Sequence, residues 1–297
     1  MKSGLVVIHK EAGVTSQRVV NTVKHLFGVS KAGHTGTLDP MATGVLPVLI
    51  GRAVKAGEYL LCADKHYHAT LRLGMTSDTE DVTGTLTPTD APLPSEEQVA
   101  EAVASFVGPM MQTPPMYSAL KIGGQKLVDL ARRGVEIERP AREVTVYSIG
   151  CERLSDSDYR LDVRCSKGTY IRTLCADIGR RLGCEGVMAA LCRAEAAGFT
   201  LAEAHTTDEL ASMSEAERER LIHPTETLFS DYPALHLSPF FARLGRAGVE
   251  LYLRKLGCTA SIGDRFRLYD GDVFFAIAEV RAFDDGAAVK PIKQFDV

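Results

Sequence analysis

Hydrophobic and polar residues alternate cleanly over Lys65–Leu73. Tyr67, Ala69, Leu71 and Leu73 share one face; His66, His68, Thr70 and Arg72 share the other. A period of two predicts a half-buried strand. Tyr159–Cys165 repeats the pattern, with Tyr159, Leu161, Val163 and Cys165 inward and Arg160, Asp162 and Arg164 outward. Beyond Gly168 the period changes: Ile171, Leu174, Cys175, Ile178 and Leu182 fall at helical spacing, predicting a helix over Thr169–Leu182 with Thr169 as its N-cap. Thr15–Phe27 predicts another helix. Ser95 with Gln98 fits a capping box for a helix that follows the Pro88–Pro94 loop, and residues 207–222 read as one acidic, exposed helix. Strands in clusters with helices between, rather than a regular strand–helix alternation, predict an α+β fold. From about residue 235 the chain turns to short, glycine-punctuated strands: Asp264–Leu268, Val273–Val280 and a last stretch ending at Val297. A boundary near 233 follows, dividing the chain into 1–232 and 233–297.

Composition narrows the class. The chain has 297 residues, 45% hydrophobic and 24% charged, enough apolar material for a proper core. The longest apolar runs are about six residues, as in Val45–Ile50, far short of the ~20 needed to cross a bilayer. Leu5–Ile8 is too short for a signal-peptide core. Seven cysteines without a CxxC pair predict free thiols and a reducing, cytoplasmic setting.

The net charge of −4 hides an asymmetry. Residues 1–60 hold seven basic and three acidic groups and residues 110–142 hold six and three, whereas residues 78–101 hold seven acidic groups and no basic one. A polyanion contacts a face and not an average, so this distribution permits RNA. No Cys/His ligand spacing, P-loop or dinucleotide fingerprint is visible.

The most unusual stretch is Gly33–Pro47 (GHTGTLDPMATGVLP), with three glycines, two prolines, three threonines, one histidine and a single carboxylate, Asp39. Asp39-Pro40 favours a turn. A compact loop around one acid fits a held catalytic group; it equally fits an Asx-turn in which Asp39 caps its own backbone.

Lys31–Pro40 (KAGHTGTLDP) followed by Met41-Ala42-Thr43-Gly44 resembles the signature of the TruB family of tRNA pseudouridine-55 synthases. Three further blocks match in order. They are Tyr67 ahead of Leu73-Gly74, Thr76, Thr79, Asp81 and Gly84; Gln112–Lys121 (QTPPMYSALK) with Ala131-Arg132-Arg133-Gly134; and Lys167–Leu174 (KGTYIRTL). The match spans roughly residues 1–200. Two departures are visible: Val128 stands where the family commonly has an aromatic residue, and Leu191-Cys192-Arg193 replaces Leu-Arg-Arg, which puts one RNA or carboxylate contact in doubt. Beyond 233 the chain is similar, more weakly, to a β-rich RNA-binding module of the PUA type.

The resemblance implies a mixed, mainly antiparallel sheet in the catalytic domain. It also implies isomerisation of uridine to pseudouridine in the T-arm of tRNA by a monomer, with neither cofactor nor metal. Asp39 would be the nucleophile or the ribose-proton base, the two routes staying open, with Arg172 as the cation that keeps it charged. Tyr67 would stack on the uracil, Tyr170 line the pocket, Leu191 cover the flipped base, and His34 fill the vacancy left by extrusion. Lys10, Lys31, Lys121, Arg132 and Arg133 would contact phosphates. The Pro- and Gly-containing 110–142 segment is expected to clamp RNA. Two competing readings are a non-catalytic RNA-binding or RNA-folding protein in which Asp39 is structural, and a nucleotidyl- or phosphotransferase with Gly33–Gly36 around a phosphate. The latter lacks the Lys-Ser/Thr that follows such glycines.

Overall fold

The computed structural model describes residues 2–295. Its first part is built on one large sheet. In chain order its elements are β1 (Gly4–Lys10), α1 (Ser16–Leu26), β2 (Ala32–His34), β3 (Thr43–Ile50), β4 (Lys65–Leu73), α2 (Glu96–Ala104), β5 (Gly108–Gln112), β6 (Arg142–Arg153), β7 (Asp158–Cys165), α3 (Ile171–Leu182), β8 (Gly186–Ala196) and β9 (Phe199–Thr200). The strands run in the order β1-β3-β8-β4-β7-β6-β5, with β2 added to β3 and β9 to β8. Only β3 and β8 pair in parallel among the described strands of this sheet, so the mixed, mainly antiparallel expectation holds.

The alternation over β4 translates directly into burial. Tyr67, Ala69, Leu71 and Leu73 enter the main core, together with Tyr159, Leu161, Val163 and Cys165 of β7. Helices α1, α2 and α3 close that face through Val19, Val20 and Val23, Val99 and Val103, and Leu174 and Ile178. Thr15 and Ser95 cap α1 and α2 as their sequences predict, Ser95 in a full capping box with Gln98.

Three local expectations are corrected. Helix α3 begins at Ile171, two residues after Thr169; the Thr169 hydroxyl instead donates to the Ser166 carbonyl at 3.0 Å, and Tyr170 is the N-cap. The 207–222 segment is two helices, Thr207–Ser212 and Glu215–Arg220, because Ser214 turns extended and forms a second capping box with Glu217. The Gly33–Pro47 stretch is a loop only over 35–42, because Ala32–His34 pairs with β3 and Thr43–Pro47 belong to β3 itself.

A second sheet contains β10 (Ala234–Leu237), β11 (Leu251–Tyr252), β12 (Arg265–Asp270), β13 (Val273–Phe283) and β14 (Gly286–Gln294), ordered β10-β12-β13-β14-β11. This is the expected β-rich C-terminal part. Its last strand ends at Gln294, and Val297 lies outside the described residues. Its core is separate from the main one and includes Leu268, Phe275 and Val280. Phe229, Ile277, Phe295 and Ala56 form an apolar seam between the two sheets. Among the described residues no helix is long and apolar enough to cross a membrane.

Candidate active site

Asp39 sits in the loop between β2 and β3, and the loop is tied down from three sides. Ser16, the first residue of α1, accepts a hydrogen bond from the Leu38 amide at 2.9 Å and donates to the Leu38 carbonyl at 3.0 Å. Lys10, at the end of β1, donates to the carbonyls of Pro40 at 3.2 Å, Ala42 at 2.5 Å and Glu11 at 3.0 Å. The Gly13 amide also donates to Pro40, at 2.8 Å. The turn itself closes through the Ala42 amide on the Asp39 carbonyl at 3.0 Å. Among the described residues the Asp39 carboxylate does not cap its own backbone; its partner is Arg172.

Arg172 is the second residue of α3, and its side chain is 5% exposed. Its Nε lies 3.0 Å from Asp39 Oδ2 and its Nη2 3.4 Å from Oδ1. The remaining donors go to the carbonyls of Tyr117 at 2.8 Å and Thr79 at 3.1 Å, and to Asp81 Oδ2 at 3.5 Å. Asp81 is itself buried and held by the hydroxyls of Thr79 and Thr83 and the Thr83 amide. The start of α3 is fixed by Gln112, whose side-chain amide accepts from the Tyr170 N–H at 2.8 Å and donates to the Tyr170 carbonyl at 3.1 Å. One guanidinium is thus placed by Tyr117, Thr79 and Asp81 and aimed at the Asp39 carboxylate.

Burial pushes the Asp39 carboxyl above its ordinary 3.8; Arg172 opposes that rise, Asp81 adds to it and Lys10 lowers it. The carboxylate is only partly enclosed, 33% exposed, and opens into a cavity of about 310 Å³. The cavity wall includes Thr35 to Asp39, Tyr67, Tyr170, Arg172, Leu191 and Arg193. Tyr67 is 8% exposed, and burial pushes its phenol above 10.0. Tyr170 carries the Arg142 guanidinium 5.1 Å from its ring centroid. The chamber therefore combines aromatic and aliphatic walls with one charged acid, an arrangement suited to a planar, uncharged ring presented to a carboxylate.

Residues 24–171 match the family model "TruB family pseudouridylate synthase (N terminal domain)", and residues 172–230 match "tRNA pseudouridylate synthase B C-terminal domain". A protein of Francisella tularensis subsp. novicida named tRNA pseudouridine synthase B is 41% identical over 297 residues, covering 99% of this chain and 95% of its own length. The chain belongs to the TruB family. The namesake of Francisella philomiragia is similar at 40% identity over the same shares. Among solved structures, this TruB chain resembles one in a Cbf5–Nop10–Gar1 complex, with a TM-score of 0.70, 25% identity, and coverage of 98% of this chain and 84% of that one. It shares its fold with a chain of an H/ACA ribonucleoprotein bound to a substrate RNA containing 2′-deoxyuridine, at a TM-score of 0.71, 23% identity, and coverage of 99% and 85%.

Five of the residues expected at the site of this TruB chain do meet at the cavity: Asp39, Tyr67, Tyr170, Arg172 and Leu191. His34 does not line it. It stands just before the lining stretch, half-buried, with Nδ1 accepting from the Gly36 amide at 3.3 Å, and burial holds its imidazole below 6.5. Lys31, Lys121, Arg132 and Arg133 are exposed, Arg133 bonding back to Gln125 and the Asp129 carbonyl. Lys10 is a correction. It has no exposed surface, its ammonium is spent on three carbonyls, and burial lowers its pKa to about 8, so it supports the Asp39 loop and cannot reach a phosphate.

The sequence reading gave no role to Ser16, nor to Asp81, Gln112 and Arg193, which it met only as members of the matched blocks. Arg193 is fully buried opposite Tyr67 in the β8–β4 register, donating to the carbonyls of Val45 at 2.7 Å and Gly36 at 3.1 Å. Cys192 lies on the other face of β8, opposite His68, so its departure from the family pattern does not touch the cavity. On that outer face His66, His68 and Asp162 converge.

Proposed function

We propose that the chain converts uridine-55 in the T-loop of tRNA to pseudouridine, with Asp39 as the catalytic residue. The bond between the ribose C1′ and N1 of the base breaks, a bond from C1′ to C5 forms, the C5 proton leaves to solvent and N1 gains one. The observation that carries this reading is the Asp39–Arg172 pair opening into a chamber walled by Tyr67, Tyr170 and Leu191. The target base leaves its stack at a cost of a few kcal/mol and enters that chamber. Tyr67 and Leu191 sandwich it, and Tyr170 bounds it. His34, beside the chamber, occupies the space the base vacates. Exposed Lys31, Lys121, Arg132 and Arg133 neutralise backbone phosphates and position the T-arm by its shape. The 110–142 segment, with its two-residue Gly123-Gly124 turn, closes over the RNA.

Residues 1–232 form the catalytic domain in this reading, and residues 233–297 a PUA-like RNA-binding domain. The enzyme works as a monomer in the cytoplasm, with no metal or cofactor in the chemical step. The test is pseudouridine formation in tRNA by Asp39→Asn and Asp39→Ala, read as loss of isotope from C5-labelled uridine. Both variants should retain tRNA binding and lose turnover. Turnover retained in both removes Asp39 from the mechanism; a wild type that binds tRNA and leaves its uridine unchanged supports the non-catalytic RNA-binding alternative.

A further inference from the structure

On the face of β4 turned away from the cavity, His66 and His68 lie side by side, their ring centroids 4.9 Å apart. Asp162 is the register partner of His68 on β7. Its two carboxylate oxygens reach one ring each: Oδ1 lies 2.9 Å from His66 Nε2 and Oδ2 3.0 Å from His68 Nδ1. All three ligand atoms fall within 4.8 Å of one another. We propose that His66, His68 and Asp162 bind a borderline divalent transition ion, zinc being the type ion, at a site separate from the catalytic chamber.

The geometry fits the chemistry. Zinc takes imidazole nitrogen and carboxylate oxygen at about 2 Å, so tetrahedral neighbours lie roughly 3.3 Å apart. With either carboxylate oxygen as the ligand, one nitrogen–oxygen separation is already close to that, and the remaining ones, within 4.8 Å, shorten by rotating His68, the more exposed ring at 44% against 15% for His66. The ion takes the place of the N–H protons the rings now direct at Asp162. Each imidazole then carries its proton on the other nitrogen, as ligating imidazoles do. The backbone supplies the preorganisation, because positions i and i+2 of a strand share a face and the register with β7 sets the carboxylate between them. Arg164, the register partner of His66, is drawn off by Glu195 at 3.2 Å. A water fills the fourth position, since the exposed side of the group faces solvent. Binding pins β4 to β7 directly behind Tyr67.

The experiment is calorimetric titration of the full chain with zinc chloride, alongside cobalt(II) absorption as a report of tetrahedral coordination. Wild type should take up one zinc at this site and melt at a higher temperature in excess zinc. His68→Ala and Asp162→Asn should each weaken uptake by at least about tenfold, the loss that even an outer partner of a ligand brings, and reduce the zinc-dependent rise in melting temperature accordingly. If His68→Ala fails to fold, Asp162→Asn, which keeps the side-chain volume, carries the comparison. Absence of zinc uptake by wild type, or equal uptake by wild type and a folded variant, overturns the proposal.

Discussion

The Arg172 guanidinium stands between two carboxylates, with Nε 3.0 Å from Asp39 Oδ2 and Nη1 3.5 Å from Asp81 Oδ2. The two acids are not equivalent. Asp81 is buried and saturated by threonine hydroxyls and a backbone amide, whereas Asp39 keeps a face open to the cavity. Asp81 thus anchors the cation and Asp39 receives it. The pair holds a carboxylate charged in a partly dry chamber while leaving one side free for substrate.

Arg172→Gln removes the larger of the two interactions that oppose the rise in the Asp39 pKa, leaving burial and Asp81, which raise it, against Lys10 alone. The carboxyl therefore protonates at a higher pH. The acid limb of the pH–turnover profile should move upward in pH, and turnover at neutral pH should fall by about 10²-fold or more from lost positioning. An acid limb that stays where wild type has it would show that Asp39 is not the titrating group.

Lys10 and the exposed basic residues should separate in a salt titration of tRNA binding. Each phosphate contact contributes about one unit to the slope of log affinity against log salt, so Lys121→Ala and Arg132→Ala should each flatten that slope by roughly one. Lys10→Met should leave the slope unchanged, because Lys10 meets only carbonyls. It should instead lower turnover and cost about 1–3 kcal/mol of stability, measured by denaturant unfolding, as the loop carbonyls lose a charged donor.

What sequence could and could not reveal follows from how far apart the interacting residues lie. Tyr67 and its strand were legible because alternation is a local signal, and α3 because its apolar spacing is local too. The cap of α3 was misplaced because Gln112, 58 residues away, fixes Tyr170 and so decides where the helix starts. Lys10 carried a signal that went unread: Val6 and Ile8 share its parity on β1, which predicts a buried lysine. Arg193 and Leu191 share parity in the same way. The His66–His68–Asp162 group depends on the β4–β7 register, which no local pattern encodes.

Gly44 is expected to be irreplaceable by alanine. Its φ is +108°, a conformation L side chains rarely adopt, and an added Cβ would sit 2.2 Å from the Arg193 carbonyl oxygen. The obstacle is backbone on β8, which cannot turn aside. Gly44→Ala must part β3 from β8, and with them the Asp39 loop and the Leu191 wall. A loss of about 3 kcal/mol or more in unfolding free energy is expected from strain and overpacking together. A variant of wild-type stability would mean the two strands separate without cost.

Asp39 should also weaken the fold it serves. Its folded pKa lies above the ordinary 3.8, with burial the largest cause, so between those two values the native state binds more protons than the unfolded chain. Stability from this group is therefore fully present below 3.8 and is lost as pH rises through the folded pKa. At neutral pH the native state bears the whole cost of the buried charge. Asp39→Asn removes that charge while Arg172 keeps Asp81, Thr79 and Tyr117 as partners. The variant should unfold at a higher denaturant concentration than wild type at neutral pH, and the gap should narrow as the pH is lowered toward 3.8. A variant less stable than wild type at neutral pH would mean that the Arg172 pairing outweighs the desolvation of the acid.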